Sequence, residues 1–394
     1  MKESKLRTFS IAIASLIMSS VAYAAMDIDS RVSQLEHQMS QVHTETALGT
    51  YGANMASTKP NINGVNLFIS VEPLYLSGRA GGLEYAYVRK GDLVPEEFPL
   101  KAEKKNTKIG WRWGGRIGLG YIFGHNGWDL GAQCTYVHFR GDDSSFAESQ
   151  GLVIPNRGTA HITSLTVAGT PTFGYCKEAQ AQYKLHFCSA ALELGKGYFV
   201  DYDTSLRPYI GVQTTCMNQK YHVSYTGGKA YTPPVPPNFD EPNAEPAEYG
   251  LGNSHVNIDD RCHFKGAGPC LGLGTKWYLR NGFSLIGNLR GIFLFGRFQV
   301  EHQENWTEHN NTTIDITANK YDFSPALQAT LGIQYETFSE DRKQHVSVSL
   351  NFETHHYFRQ NQMIKVCDDY TLRPERYSED IGIHGVTGKF TWSF

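Results

Sequence analysis

From Val65 onward, apolar side chains fall on every second position in ten runs separated by polar, glycine-rich stretches. Val65, Leu67, Ile69 and Val71 form the first run. Trp111, Trp113, Ile117, Leu119 and Tyr121 form the second, with Arg112 and Arg116 on the opposite face. Trp128, Leu130, Ala132 and Tyr136 form the third, opposed by Asp129, Gln133 and Thr135. The fourth opens with Tyr183, Leu185 and Phe187 and then changes parity to Leu192 and Leu194, which predicts a β-bulge. Further runs begin at Leu206, Leu271, Phe283, Phe323 and Val346, and the tenth closes the chain in "GVTGKFTWSF". A period of two marks strands with one apolar and one polar face. These runs are roughly 10 to 16 residues long, against the ~9–11 that a tilted strand needs to cross a bilayer.

The connections sharpen this picture. Between runs two and three lies "GHNG", between four and five "DYDTS", between six and seven "RNG", and between eight and nine "SEDRKQ". The others are long: 77–108, 142–180, 226–260, 301–318 and 359–379. Strict alternation of short turn and long loop is the pattern of an outer-membrane barrel, with short periplasmic turns and long external loops. A soluble sandwich would space its strands more evenly. The expected fold is therefore all-β, an antiparallel transmembrane β-barrel of about 10–12 strands, spanning residues 65–394. The upper count applies if "GLEYAYVRKG" in the first long loop adds a hairpin. Both chain ends then lie in the periplasm.

Residues 1–24 read as a secretory signal peptide: Lys2, Lys5 and Arg7 precede the apolar "FSIAIASLIMSSV", and "AYA" ends at Ala24. Export by that route would deliver the chain toward the bacterial outer membrane. Residues 25–48 carry Ile28, Val32, Leu35, Met39 and Val42 at heptad spacing, which predicts a short periplasmic helix. Two to three heptads need a partner, either further copies in an oligomer such as a trimer or the chain's own barrel. "GTYGANMASTKPNING" (49–64) is the linker that follows.

Composition agrees with an all-β chain. The 394 residues include 39 Gly, 22 Tyr and 21 Phe, with only 19 % charged. A net charge of −3 gives no reason to expect nucleic acid as a partner. Mean hydropathy is −0.38, too polar for a helical membrane protein but compatible with a wet-lumened barrel. Seven cysteines (134, 176, 188, 216, 262, 270, 367) would reach an oxidising compartment, and their odd number leaves at least one free or paired with another molecule. Cys176 to Cys188 and Cys262 to Cys270 suit loop staples.

No G-x-S-x-G, H-E-x-x-H or P-loop occurs, so no catalytic residue, cofactor or metal site is expected. The densest alternative is His355 and His356 beside Glu353, followed by "HQENWTEHN" with His302 and His309. Both read as solvated surface. The polar faces say more. Arg112, Arg116, Asp129, Arg207, Lys276, Arg290, Glu336 and Lys389 are expected to point inward and line a pore, with Glu72, Gln328 and Gln334. Their mixed signs set no ion preference. Phe390, Trp392 and Phe394 would face lipid and give the assembly machinery its terminal signal. "YTPPVPPNFDEPNAEPAEYG" is expected to be an exposed external loop.

Several stretches, in order, resemble the major outer-membrane protein family of Legionella, also widespread in Chlamydia-like bacteria. They are "NLFISVEPLYL", "GWDLGAQCTYVHF", "LELGKGYFVDYDTSLRPYIGVQ", "GAGPCLGLGTKWYLRNGFSLIGNLRGIFLFG", "DFSPALQATLGIQYE" and "GVTGKFTWSF". The resemblance implies a pore-forming outer-membrane protein exposed on the surface, with disulfide links to its neighbours as a further expectation. It carries no catalytic residues over. The expected function is passive diffusion of small hydrophilic solutes; the alternative is an adhesin or structural envelope protein with the barrel as anchor.

Overall fold

Ten long antiparallel strands close into one barrel in a computed structural model. It describes residues 66–90, 102–123, 127–147, 151–158, 166–167, 170–171, 176–227, 229–231, 248–250, 255–306, 312–339, 343–366, 374–376 and 378–394. The barrel strands are β1 (Leu67–Ala80), β2 (Arg112–Phe123), β3 (Trp128–Phe146), β4 (Glu178–Lys196) and β5 (Thr204–Thr226). Then come β6 (His255–Tyr278), β7 (Phe283–Trp306), β8 (Thr312–Phe338), β9 (His345–Asn361) and β10 (Glu379–Ser393). Each pairs with its sequence neighbours, and β10 closes on β1. At that seam Leu67 and Phe394 exchange both backbone hydrogen bonds, at 3.1 and 2.9 Å. The signal peptide, heptad helix and linker expected over 1–64, along with Cys367, His309 and most of the proline-rich loop, lie outside the described residues.

The tight turn between β6 and β7 shows local chemistry setting the register. Asn281 (φ 60°) and Gly282 (φ 77°) take the left-handed conformations that a two-residue hairpin requires.

Period two sorts the side chains as the sequence reading expects over the half of the wall near the short turns. Ile69, Val71, Ile117, Leu119, Leu192, Leu194, Ile210, Leu331 and Leu350 all project outward and are exposed on the isolated chain. Trp128, Trp277, Phe283 and Trp392 gather at the short-turn edge of this apolar band, and Trp113, Tyr136, Tyr321 and Phe323 at the other. These are the two aromatic girdles of a lipid-embedded barrel. Among the described residues no helix is long and apolar enough to cross a membrane.

Three expectations are corrected. First, β4 has no bulge: its register against β3 and β5 is continuous. Tyr183, Leu185 and Phe187 point inward and are buried, whereas Leu192 and Leu194 point outward. The apolar residues change face because the lumen itself changes, from polar near the short turns to apolar near the long loops. Second, "GLEYAYVRKG" adds no barrel strand. Glu84–Lys90 pairs with Glu103–Asn106 and Gly151–Pro155 in a separate three-stranded sheet. Third, the strands run past the band into stretches expected to be loop, so Glu301 to Trp306 and Thr312 to Ala318 are paired strand.

The small sheet is folded into the outer mouth. Leu83, Tyr85, Ala86 and Val153 are buried against inward-facing Tyr183, Tyr221, Val223, Tyr225, Ile258 and Phe298. Tyr221 donates to the Leu83 carbonyl at 2.8 Å, and Tyr225 to that of Tyr85. Paired phenols satisfy the carbonyls that this inserted backbone would otherwise bury.

Candidate functional site: the polar lumen

Below that plug, the inward positions carry charge arranged in three clusters. The first joins β1, β2, β9 and β10. Arg116 donates to Glu72 at 2.7 Å, to both oxygens of Glu353 at 3.1 Å, and to the Thr135 hydroxyl at 2.9 Å. Lys389 reaches the other Glu72 oxygen at 2.8 Å, and His355 Nε2 stands 3.6 Å from Glu353. The second joins β3, β4, β5 and β7. Arg207 pairs with Asp129 at 2.5 Å and lies 3.6 Å from Glu193. Arg290 also binds Glu193, and donates to Gln213 at 3.2 Å and to the Tyr209 hydroxyl at 3.1 Å. The third joins β6, β8 and β9: Glu336 accepts from Lys276 at 2.5 Å and stands 3.4 Å from His345.

Charge inside these clusters balances. Arg116, Arg207, Lys276, Arg290 and Lys389 face Glu72, Asp129, Glu193, Glu336 and Glu353. Most bridge strands that are not neighbours, so they span part of the lumen rather than lying along the wall. Burying such charges is tolerable only with this degree of pairing. Solvent still reaches the layer: Lys389 is 41 % exposed and Arg207 26 %. Three inward-facing buried atoms in the same half, Ser284 Oγ, Asn351 Oδ1 and His355 Nδ1, have no partner among the described residues.

Of the residues expected inside, Arg116, Asp129, Arg207, Lys276, Arg290, Glu336 and Lys389 point into the lumen, as do Glu72, Gln328 and Gln334. Arg112 does not join them. It stands at the outer end of β2, exposed, with its guanidinium 3.5 Å from the Arg140 carbonyl. Arg112 still pairs with Leu76 of β1, but β2 has parted from β3, whose pairing begins at Gly114 with Val137, and the guanidinium turns to that open side. Glu193 was legible as an inward residue between Leu192 and Leu194; its place on two arginines was not. Phe390 and Trp392 face outward, and the Phe394 ring lies tilted against Trp392, with centroids 5.1 Å apart.

Among the described residues, the histidines singled out in the sequence do not form an open reactive site. His356 pairs with Asp380 at 2.9 Å. His302 is buried in the outer mouth, between Asp260 at 2.5 Å and Glu304 at 2.8 Å. Burial alone would lower its pKa, but the hydrogen bonds and charges of the two carboxylates outweigh this and raise it to about 10. Arg157, from the inserted segment, stacks on Tyr221 and donates to Asp260 at 3.3 Å, tying the plug to the wall. Neither expected cysteine staple forms. No disulfide joins Cys176 to Cys188 or Cys262 to Cys270, and Cys134 and Cys216 form none either. Cys134, Cys188 and Cys216 sit together on the outward face of β3, β4 and β5.

Comparison with protein families finds one described as "Legionella pneumophila major outer membrane protein precursor", matching residues 62–394. No curated protein sequence matches the chain. Among solved structures, a major outer membrane protein from Thermus thermophilus is similar at 12 % identity over 83 % of this chain and 99 % of its own, with a TM-score of 0.26. The Pseudomonas putida toluene transporter TodX gives 8 %, 87 %, 95 % and 0.24. Ail, the attachment invasion locus protein of Yersinia pestis, gives 8 %, 65 %, 97 % and 0.19. At such TM-scores these likenesses carry no argument about function.

Proposed function

Since the chain belongs to the Legionella pneumophila major outer membrane protein family, a family of the bacterial outer membrane, we propose that its barrel forms a pore there. It passes small hydrophilic solutes by passive diffusion and has no catalytic role. The observation that carries this reading is the layer of five cations and five carboxylates facing inward at the level of the apolar outer band. A barrel serving only as a membrane anchor could fill that level with apolar side chains at no desolvation cost. The unpaired Ser284, Asn351 and His355 atoms support a hydrated lumen, since buried polar atoms are satisfied by protein or by water. Balanced charge argues for weak ion preference. A ten-stranded wall leaves a narrow passage, so unitary conductance should be small.

In the described form the outer mouth is filled by the segment around Leu83, Tyr85 and Val153, so conduction requires that segment to shift. Single-channel recording of refolded protein in planar bilayers, with ion substitution, tests the proposal. Discrete openings are the expected result, and a complete absence of conductance would overturn it. The filled mouth favours one second reading, a barrel anchoring surface loops for adhesion or envelope structure; a silent bilayer with intact folding would select it. Export by residues 1–24 and oligomer formation through the heptad segment belong to the same proposal. So does disulfide linkage between neighbours, which identical monomer bands with and without reductant would remove.

A further inference from the structure

Just beyond the apolar band, on the outward face of β3 to β6, four cations lie in one cross-strand line. Arg140 is directly opposite Lys184, Lys184 opposite Lys220, and Lys220 opposite Arg261. Directly opposed side chains on one sheet face sit about 5 Å apart, and like charges there repel. A second pair, Lys265 opposite Arg297, continues the patch onto β7 four residues nearer the band. The acids on this face are already engaged: Arg140 pairs with Asp142 at 2.9 Å, Arg261 with Glu301 at 3.4 Å, and Asp259, one outward position beyond the row, with His222 at 3.0 Å. Lys184, Lys220 and Lys265 have no hydrogen-bond or ion-pair partner among the described residues. Between the row of four and the band lie His138, His186, Asn218 and His263, with the first two rings stacked at 4.0 Å. The line spans about 15 Å at the usual strand spacing.

We propose that this patch binds the phosphate-bearing headgroup of the glycolipid in the leaflet facing the long loops. Depth selects a lipid over a soluble partner. Lys265 lies directly opposite Cys216, and the row of four begins four residues beyond the last lipid-facing side chains, Tyr136, Cys188 and Cys216, a level from which long cationic side chains reach the phosphates of an embedded lipid. Charge complementarity selects phosphate, because the row has a repulsion that an anion relieves and the barrel wall supplies none at its centre. The inference rests on the outer-membrane reading of the barrel, but not on whether the pore conducts.

The test uses the full chain, folded in detergent micelles, with native mass spectrometry counting bound glycolipid. Bisphosphorylated lipid A and its dephosphorylated form are the probes. Wild-type protein should retain the bisphosphorylated lipid and lose it with rising salt. The triple variant Lys184→Gln, Lys220→Gln, Lys265→Gln should weaken retention by about fivefold for each lysine removed. Lys→Arg at the same positions should keep it, and Lys343→Gln at a short turn should leave it unchanged. Equal retention of both lipids, or unaltered retention by the triple glutamine variant, would overturn the proposal. So would displacement by inorganic phosphate at the lipid's own concentration, which would mark a free-anion site. Heat-modifiable gel mobility reports folding, and the single variants supply the same comparison if the triple one fails to fold. A barrel that binds no lipid yet conducts would sink this inference and leave the pore standing.

Discussion

Arg116 and Glu353 stand 237 residues apart in the chain, on β2 and β9, and meet inside the barrel through two hydrogen bonds of 3.1 Å. Glu353 is 1 % exposed in its side chain, so each partner has little but the other cluster members to replace water. Removing one charge strands the rest. Arg116→Met should cost about 3–5 kcal/mol, the usual penalty for breaking a buried pair. Adding Glu353→Gln should recover part of it, with a coupling of about 0.5–3 kcal/mol in a double-mutant cycle. Urea unfolding in micelles measures both, and additive losses would mean that the contact contributes nothing.

The outward band predicts a depth-dependent response to charge. Leu350 projects from the middle of β9's lipid-facing run and is 65 % exposed on the isolated chain. Leu350→Arg should destabilise by about 2–4 kcal/mol in bilayers, whereas Gln299→Arg, beyond the band on β7, should change stability by less than about 1 kcal/mol. Comparable values from unfolding in vesicles would misplace the band.

His302 gives the outer mouth a dependence on alkaline pH. Its folded pKa, about 10, lies above the ordinary value near 6.5. Its stabilisation is therefore fully present below about pH 6.5 and disappears as pH rises through about 10. The stability difference between wild type and His302→Gln should shrink steadily across that window in parallel thermal melts. A difference that stays constant from pH 7 to 10 would contradict a protonated His302.

Thiol labelling separates the cysteines by environment. Cys134 is exposed on the lipid-facing wall beside Cys188 and Cys216, while Cys176, Cys262 and Cys270 are buried. In vesicles a lipid-soluble maleimide should label up to three of these six sites and a charged, impermeant one none of them. Mass spectrometry of peptides reads the result; labelling of Cys262 or Cys270 before that of Cys134 would refute the assignment of faces.

Removing Phe394 should impair closure of the barrel. Its backbone forms both terminal hydrogen bonds to Leu67, and its ring packs near Trp392. The deletion variant should show a smaller heat-modifiable fraction after assembly in cells, with Phe394→Tyr close to wild type. An unchanged fraction in the deletion would show that β1 and β10 close without the last residue.

The alternation in "GVTGKFTWSF" and nine earlier runs was enough to determine the strands, their order and the lipid-facing side. A bilayer demands apolar residues on every second position whatever the far side of the wall contacts. The short-and-long rhythm of connections likewise fixed the antiparallel closure, and parity placed Arg116, Asp129, Arg207 and Lys389 inside. What lay within the barrel was decided only by tertiary structure. Tyr183, Leu185 and Phe187 look like a slipped lipid face in sequence, yet they face an inserted sheet that arrives from another part of the chain. Similarly, Glu193 meets Arg207 and Arg290, and Glu353 meets Arg116, because a closed cylinder brings distant strands across a common lumen. A local period reports the two faces of a strand; only closure determines what each face meets.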